Sequence, residues 1–298
     1  RIIESDAHYN RFKKSLYSDL KKTSIHIDSA FRKIADPIVC PNCPDTIEFY
    51  DNIAGNTVNN VIVASSRDSK ILFAGVSGEK IYRLNKEGFD VGVTPTWHDI
   101  SFNNNISDVD ICKNWVDITM SENAENVIVC SKNSNIWYSN DKGIDNTWQK
   151  GVDDISNVEI SGNWTAITSD KTGNDVYVTR RQWVDGNGVY KYNGINKSND
   201  GGQTWANLTG SISNSIDLSQ NWIDIVVSGD GNIMYAIYEK TAKYYIVKSN
   251  DNGATWTIIN NSYTDITQTT ALQDIQWKNI VTNDDGTKVY VISETLLD

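Results

Sequence analysis

From residue 60 to the end of the chain, apolar residues come in short runs broken by clusters of Asp, Asn, Gly and Ser. Such runs, rich in Val, Ile, Tyr and Trp, predict β-strands joined by tight turns. The pattern also repeats. Trp115-Val-Asp-Ile118, Trp164-Thr-Ala-Ile167, Trp222-Ile-Asp-Ile225 and Trp277-Lys-Asn-Ile280 each open a strand, and Asn60-Val-Ile-Val63 holds the same place in an earlier copy. These starts lie 55, 49, 58 and 55 residues apart. Between them each repeat reads as four strands; in the third these fall near 164–169, 175–179, 188–196 and 204–208. Four short antiparallel strands at that spacing predict an all-β fold, a β-propeller built of four-stranded blades. Five repeats are visible, and the last stops after two strands, at Val289-Tyr-Val-Ile292.

A second landmark follows the third strand of each repeat. Ser139-Asn-Asp141-Lys-Gly143, Ser198-Asn-Asp200-Gly-Gly202 and Ser249-Asn-Asp251-Asn-Gly253 align, and two of them run on at once into Thr204-Trp205 and Thr255-Trp256. The first reaches Thr147-Trp148 after a two-residue insertion, and a degenerate copy spans Leu84 to Gly88 with Thr96-Trp97 beyond it. A sharp hairpin needs Gly for positive φ, and an Asp can accept bonds from main-chain amides further round the turn. The Trp then covers the turn with a large apolar face. Asp141, Asp200 and Asp251 are therefore expected to hold turns rather than to do chemistry.

The motif Ser-x-Asp-x-Gly-x-Thr-Trp resembles the Asp-box, the bacterial neuraminidase repeat, over roughly residues 57–298. Sialidases, sortilin-type receptors and photosystem II assembly factors share it. The resemblance implies a propeller with the boxes on one face and any active site on the other. A sialidase would further require three Arg around the substrate carboxylate, a Tyr/Glu nucleophile pair, an acid/base Asp and an Arg-Ile-Pro segment. This chain has seven Arg, two of them the adjacent Arg180 and Arg181, and no Arg-Ile-Pro. Neighbours on a strand point to opposite faces, so that pair makes no clamp. The histidines His8, His26 and His98 are scattered, and no nucleophile motif or phosphate loop is present. No catalytic residue and no cofactor is assigned.

One connection stands out as a candidate ligand site. Arg180-Arg-Gln-Trp-Val-Asp-Gly-Asn-Gly188, joining the second and third strands of the third repeat, is the longest of its kind and belongs to the face opposite the boxes. It brings Arg181, Trp183 and Asp185 together, a mixture suited to stacking on a sugar or gripping a protein. The plain alternative is a surface loop whose Trp183 packs on the neighbouring blade.

Charge divides the chain. Residues 1–35 hold eight Lys/Arg against four Asp/Glu, whereas residues 36–298 hold 19 against 34. An acidic body repels a phosphate backbone, which argues against nucleic-acid binding. Residues 1–37 form a separate N-terminal arm with helical spacing (Phe12, Leu16 and Leu20, then Ile27, Phe31 and Ile34) ending at Asp36-Pro37, while 38–298 form the propeller. The basic arm suits docking on an acidic protein partner, or on its own acidic body. Residues 38–50 could add two strands to the half-repeat at 277–292 and close a five-bladed ring; the alternative is a piece of a larger ring.

Cys40 and Cys43 form a lone Cys-Pro-Asn-Cys, which reads as a turn with two thiols; zinc would need ligands from another chain. Cys112 and Cys130 belong to one repeat, but Cys130 should pair opposite residues 116–118, too far from Cys112 for a bridge. No apolar run is long enough for a membrane-spanning helix. Heavy use of Asn and Ile with only 4 Pro suggests an AT-rich genome, as in many large DNA viruses, some phages and some low-GC bacteria. A virion or extracellular setting is the expected localisation.

Overall fold

The computed structural model describes residues 61–76, 81–85, 97–100, 114–181, 183–184, 190–191, 194–208, 211–212, 216–217, 220–259 and 272–293. The helical arm at 1–37, the Cys40–Cys43 pair, Cys112 and Asp185 lie outside these residues.

The described chain is almost all strand. A first antiparallel sheet runs β1 (Val61–Ser65), β2 (Ile71–Val76), β3 (Ile81–Asn85) and β4 (Trp97–Asp99), each pairing with the next. The second unit is β5 (Trp115–Met120), β6 (Val127–Ser131), β7 (Ser134–Ser139) and β8 (Gln149–Lys150), continued by β9 (Val152–Asp153). The third contains β10 (Ser161–Ser169), β11 (Val176–Arg181), a short ribbon of β12 (Trp183–Val184) and β13 (Tyr190–Lys191), then β14 (Gly194–Ser198) and β15 (Thr204–Asn207). After β16 (Ser211–Ile212) and β17 (Ile216–Asp217) comes the fourth, β18 (Asn221–Val227), β19 (Met234–Lys240), β20 (Lys243–Ser249) and β21 (Thr255–Ile258). The last unit has two described strands, β22 (Trp277–Thr282) and β23 (Val289–Ser293). The first strand of each unit packs on the first strand of the next, so the sheets stand face to face around a hub, the arrangement of a β-propeller.

The core lies between successive sheets. The second, third and fourth sheets are covered on both faces, so their middle strands read as continuous apolar runs instead of alternating with polar residues. Val127 and Val129 pack with Phe73 and Ile81 of the first unit, while Ile128 and Cys130 pack with Trp164 and Val178 of the third. Further clusters fill the third-to-fourth gap around Tyr177, Trp222 and Tyr238, and the fourth-to-fifth around Ile237, Trp277 and Ile280. Cys130 is free, buried and paired opposite Asp117, as its spacing predicts.

Hydrogen bonds stitch neighbouring sheets at three radii. At the turns between first and second strands, main-chain amides donate in series: Arg67 to Glu122 (2.8 Å), Glu122 to Lys171 (2.8 Å), Lys171 to Gly229 (3.0 Å) and Gly229 to Asp284 (2.7 Å). At the rim, β9 adds in parallel to β15 and β16 to β21, so each connection covers the outer edge of the following sheet.

At the hub, the strand-opening Trp is followed by a register shift in β5, β10, β18 and β22. The residues two after these Trp are Asp117, Ala166, Asp224 and Asn279. Asp117 accepts from the Ile118 amide (2.8 Å) and, across the gap, from the Ile167 amide (2.9 Å). Asp224 does the same for Ile225 (2.8 Å) and Ile280 (2.8 Å). Two carboxylates therefore satisfy amides on four inner strands, which explains why only alternate repeats carry Asp. Asp224 is buried, and Asp117 retains some surface but sits deep in the molecule.

Burial raises the Asp117 carboxyl to about 6, against the pull of its two amide bonds. Asp224 is raised to about 7, by burial first and then by the charge on Asp117, again against its amide bonds. Both carboxyls hold protons more tightly folded than unfolded. Their stabilisation is full below the unfolded carboxyl range and is lost as pH rises through about 6 to 7. Urea unfolding at a series of pH values should show stability falling across that window. In Asp224→Asn the fall should be shallower; an unchanged profile would count against a buried hub carboxylate.

Candidate functional site

Two faces compete for a functional role. One carries the turns between first and second and between third and fourth strands; the other carries the connections between second and third strands.

On the turn face, Asp200 and Asp251 are committed to bonds within their own turns. Asp200 accepts from the Thr204 amide (2.9 Å), the Thr204 hydroxyl (2.6 Å) and the Ser198 hydroxyl (2.7 Å). Ser198 Oγ in turn accepts from the Gly202 amide (2.9 Å), and Trp205 Nε1 donates to the Gly202 carbonyl (2.8 Å). The fourth unit repeats this with Asp251, Thr255, Ser249, Gly253 and Trp256: the Thr255 amide to Asp251 is 2.8 Å and Trp256 Nε1 to the Gly253 carbonyl is 2.9 Å. Burial would raise the Asp200 carboxyl, but the bonds from Thr204 and Ser198 outweigh it and hold it low. For Asp251 the Thr255 and Ser249 bonds dominate, with the same result.

Gly202 (φ 93°) is needed twice over: for its positive φ, and because a Cβ there would come within 3.1 Å of Ile128 and Tyr138 on the preceding sheet. Gly143 plays the same part against Phe73. The second unit nevertheless differs. Its two-residue insertion carries Thr147 to Ser139 (Oγ to Oγ1, 2.6 Å), and the exposed Asp141 makes no side-chain bond among the described residues. Ser139 Oγ still accepts from the Gly143 amide (3.1 Å), and Trp148 is still buried.

Near this face Asn252 locks the fourth unit to the third: its carbonyl oxygen accepts from the Tyr177 hydroxyl and from Lys197 Nζ (3.4 Å). All of these are scaffold contacts.

The opposite face is less uniform. The connections there are two residues long at Lys132-Asn133 and at Thr241-Ala242, the latter with both residues at positive φ (50° and 58°). In the third unit the connection instead rises as the ribbon β12–β13, with Trp183 opposite Lys191 and Val184 opposite Tyr190. The segment expected to be a loop is thus a protruding hairpin at its base, with Asp185 beyond the described residues. Strand alternation sends its two arginines apart. Arg180 donates to Asn207 Oδ1 (2.8 Å) and sits 5.8 Å from the centre of the Trp164 ring, whereas Arg181 Nε donates to the Trp222 carbonyl (3.3 Å). Arg181 thereby ties the hairpin root to the fourth unit.

Beside that root an aromatic row crosses the fourth sheet. Trp222 meets Tyr238 edge-on at 5.5 Å, and Tyr238 stacks on Tyr245 at 4.9 Å and 15°. Trp222 and Tyr238 are buried, while Tyr245 is half-buried and so offers part of its ring to solvent. Tyr245 escapes notice in the sequence because its value depends on register: Tyr238 pairs with Trp222 on one side and Tyr245 on the other. Among the described residues there is no group of three or more His, Cys, Asp or Glu placed to hold a metal ion, and no helix long and apolar enough to cross a membrane.

No protein-family model and no curated protein matches the chain. Solved structures do match its fold. An ancestral GH74 enzyme is similar at 17% identity over 82% of this chain and 30% of its own, with a TM-score of 0.52. The GH74 xyloglucanase from Xanthomonas campestris is similar at 12% over 80% and 36%, with a TM-score of 0.52. YCF48 from Cyanidioschyzon merolae is similar at 13% over 79% and 65%, with a TM-score of 0.51. At such identities the likeness shows the β-propeller scaffold alone, and the chain spans under two thirds of each of these proteins.

The turns make a contrast that can be measured. Asp251→Ala should cost about 1–2 kcal/mol, the scale of losing a helix cap, whereas Asp141→Ala should stay within about 0.5 kcal/mol. Equal losses in denaturant unfolding would show that the bonds of Asp251 to Thr255 and Ser249 do not set its contribution.

Proposed function

We propose that this chain is a non-catalytic Asp-box β-propeller that serves as a structural or protein-interaction module in a larger assembly such as a virion. The observation that carries this reading is the use of its positioned carboxylates. Asp117 and Asp224 bind amides at the hub, and Asp200 and Asp251 bind amides and hydroxyls of their own turns. The ribbon β12–β13 is the structural feature that departs from this regularity. Arg181 at its root bonds to the Trp222 carbonyl, and its first strand carries Trp183, a residue type that dominates protein interfaces. The basic arm at 1–35 supplies a second contact to an acidic partner in the same assembly.

A glycan-binding role is the competing reading. The half-buried Tyr245 at the end of the aromatic row favours it, since partly exposed aromatic residues suit sugars. Two of the structurally similar proteins are GH74 enzymes, one a xyloglucanase, which makes xyloglucan oligosaccharides a reasonable first probe.

The native mass of the protein in an extract of its source, compared for wild type and Trp183→Ala, separates the readings. Wild type should travel with a large particle, and Trp183→Ala should weaken that association about tenfold or more. A free wild-type monomer that binds xyloglucan oligosaccharides, and loses them in Tyr245→Ala, would replace the assembly reading with the glycan one.

A further inference from the structure

One cation of the third unit lacks a counter-charge. Arg180 shares a face of β11 with Val178, two residues earlier, and Val178 packs with Ile128 and Cys130 of the second unit. Arg180 therefore stands at the root of the ribbon, on the face of the third sheet turned toward the second. It is half-buried and forms no ion pair among the described residues. Its Nη2 donates to Asn207 Oδ1 (2.8 Å), and its Nε is buried with no hydrogen-bond partner. Burial lowers the pKa of this guanidinium, with no neighbouring carboxylate to offset the shift. A cation partly removed from water costs stability until an anion meets it. The surroundings leave room for one. Gly194, paired opposite Arg180, puts no side chain over the guanidinium. Asn207 Oδ1 also accepts from Asn196 Nδ2 (3.3 Å), which identifies it as the oxygen. The exposed Asn207 thus keeps its Nδ2 as a donor without a bond among the described residues.

An apolar knob stands at the same edge. β9 pairs in parallel with β15, Val152 opposite Thr204 and Asp153 opposite Trp205, so the chain carries Ile155 to the level of Asn207. Ile155 is 91% exposed and Val158 62%. Their turn is nonetheless fixed. Asp153 Oδ1 accepts from the Ile155 amide (3.2 Å), the Ser156 amide (2.8 Å) and the Ser156 hydroxyl (2.8 Å), and the Asp153 amide donates to the Val158 carbonyl (2.8 Å). The matching connection into the fourth unit, β16 to β17, carries Ser213-Asn-Ser215 between its strands. Pairing at the rim therefore does not require apolar side chains at this turn.

We infer that Arg180 and the Asn207 amide, with Ile155 and Val158 beside them, bind an acidic side chain set among apolar residues of a protein partner. The inference rests on the protein-interaction reading and names the partner's chemistry. A guanidinium pairs a carboxylate through two parallel N–H bonds, and the Asn207 Nδ2 supplies a further donor. Aliphatic Ile155 and Val158 suit apolar side chains better than the hydroxyl-rich face of a sugar, which favours a peptide over a sugar acid.

Side-chain N–H signals in NMR spectra of the full-length chain read the site directly. Acetyl-Leu-Glu-Leu-amide should move the Arg180 Nε–H and Asn207 Nδ2–H signals saturably. It should do so at about tenfold lower concentration than sodium acetate or glucuronate, which bring the carboxylate without the apolar groups. The Leu-Gln-Leu counterpart, which lacks the charge, should bind about tenfold or more weakly than the Glu peptide. Arg180→Gln should lose the response while the Trp256 Nε1–H signal of the fourth unit stays in place. Should that variant unfold, Ile155→Ser, at an exposed position, should keep the fold and bring the Glu peptide down toward acetate. No movement with the Glu peptide, equal binding of the two peptides, or acetate or glucuronate binding as tightly as the Glu peptide overturns the inference. If wild type and Arg180→Gln travel alike with a large particle, the assembly reading stands and this site falls. A free wild-type monomer that binds the Glu peptide removes the assembly and leaves the site.

Discussion

Main-chain amides left over between neighbouring sheets are the constraint on which the rest of the structure depends. An antiparallel sheet satisfies its own interior, but the inner strand, the outer strand and the turns of each unit all present donors to the next unit. This chain answers at every radius: hub carboxylates, turn carbonyls and parallel rim strands. Because each bond runs from one unit to its successor, the repeat length and the position of each polar residue are tied together. The Ser and Asp of the turns between third and fourth strands do the same work within a unit, and glycine there lets the preceding sheet approach.

The hub shows the cost of that solution. Two carboxylates sit away from water, and the four amide bonds they accept do not fully offset desolvation, so both carboxyls are raised. An apolar residue at 117 or 224 would avoid the charge but leave two amides unsatisfied each, a larger penalty in a buried setting. Ala166 and Asn279 can stand in the alternate units because their neighbours' carboxylates have already reached the amides of Ile167 and Ile280.

The two faces differ in how far this regularity extends. The turn face is a lattice of scaffold bonds, and changes there alter stability first. On the other face the third unit replaces a two-residue turn with a ribbon, and Arg181 at its root donates to the Trp222 carbonyl of the fourth unit.

The all-β class, the repeat spacing, the strand positions and the turn residues were legible in the sequence because each depends on local rules: apolar runs, positive-φ glycines, and Asp or Ser placed a fixed distance from an amide. Trp115, Trp164, Trp222 and Trp277 marked the inner strands for the same reason. What the sequence did not reveal depends on partners far along the chain. Asp117 and Asp224 looked like ordinary strand residues, since their second amide lies 50 and 56 residues away. Asp141 matched the turn pattern, yet a two-residue insertion passed its Thr to Ser139. The bond from Arg181 to the Trp222 carbonyl, 41 residues along the chain, was equally hidden. Local geometry is written in neighbouring residues; which donor meets which acceptor across two sheets is decided by how the sheets pack.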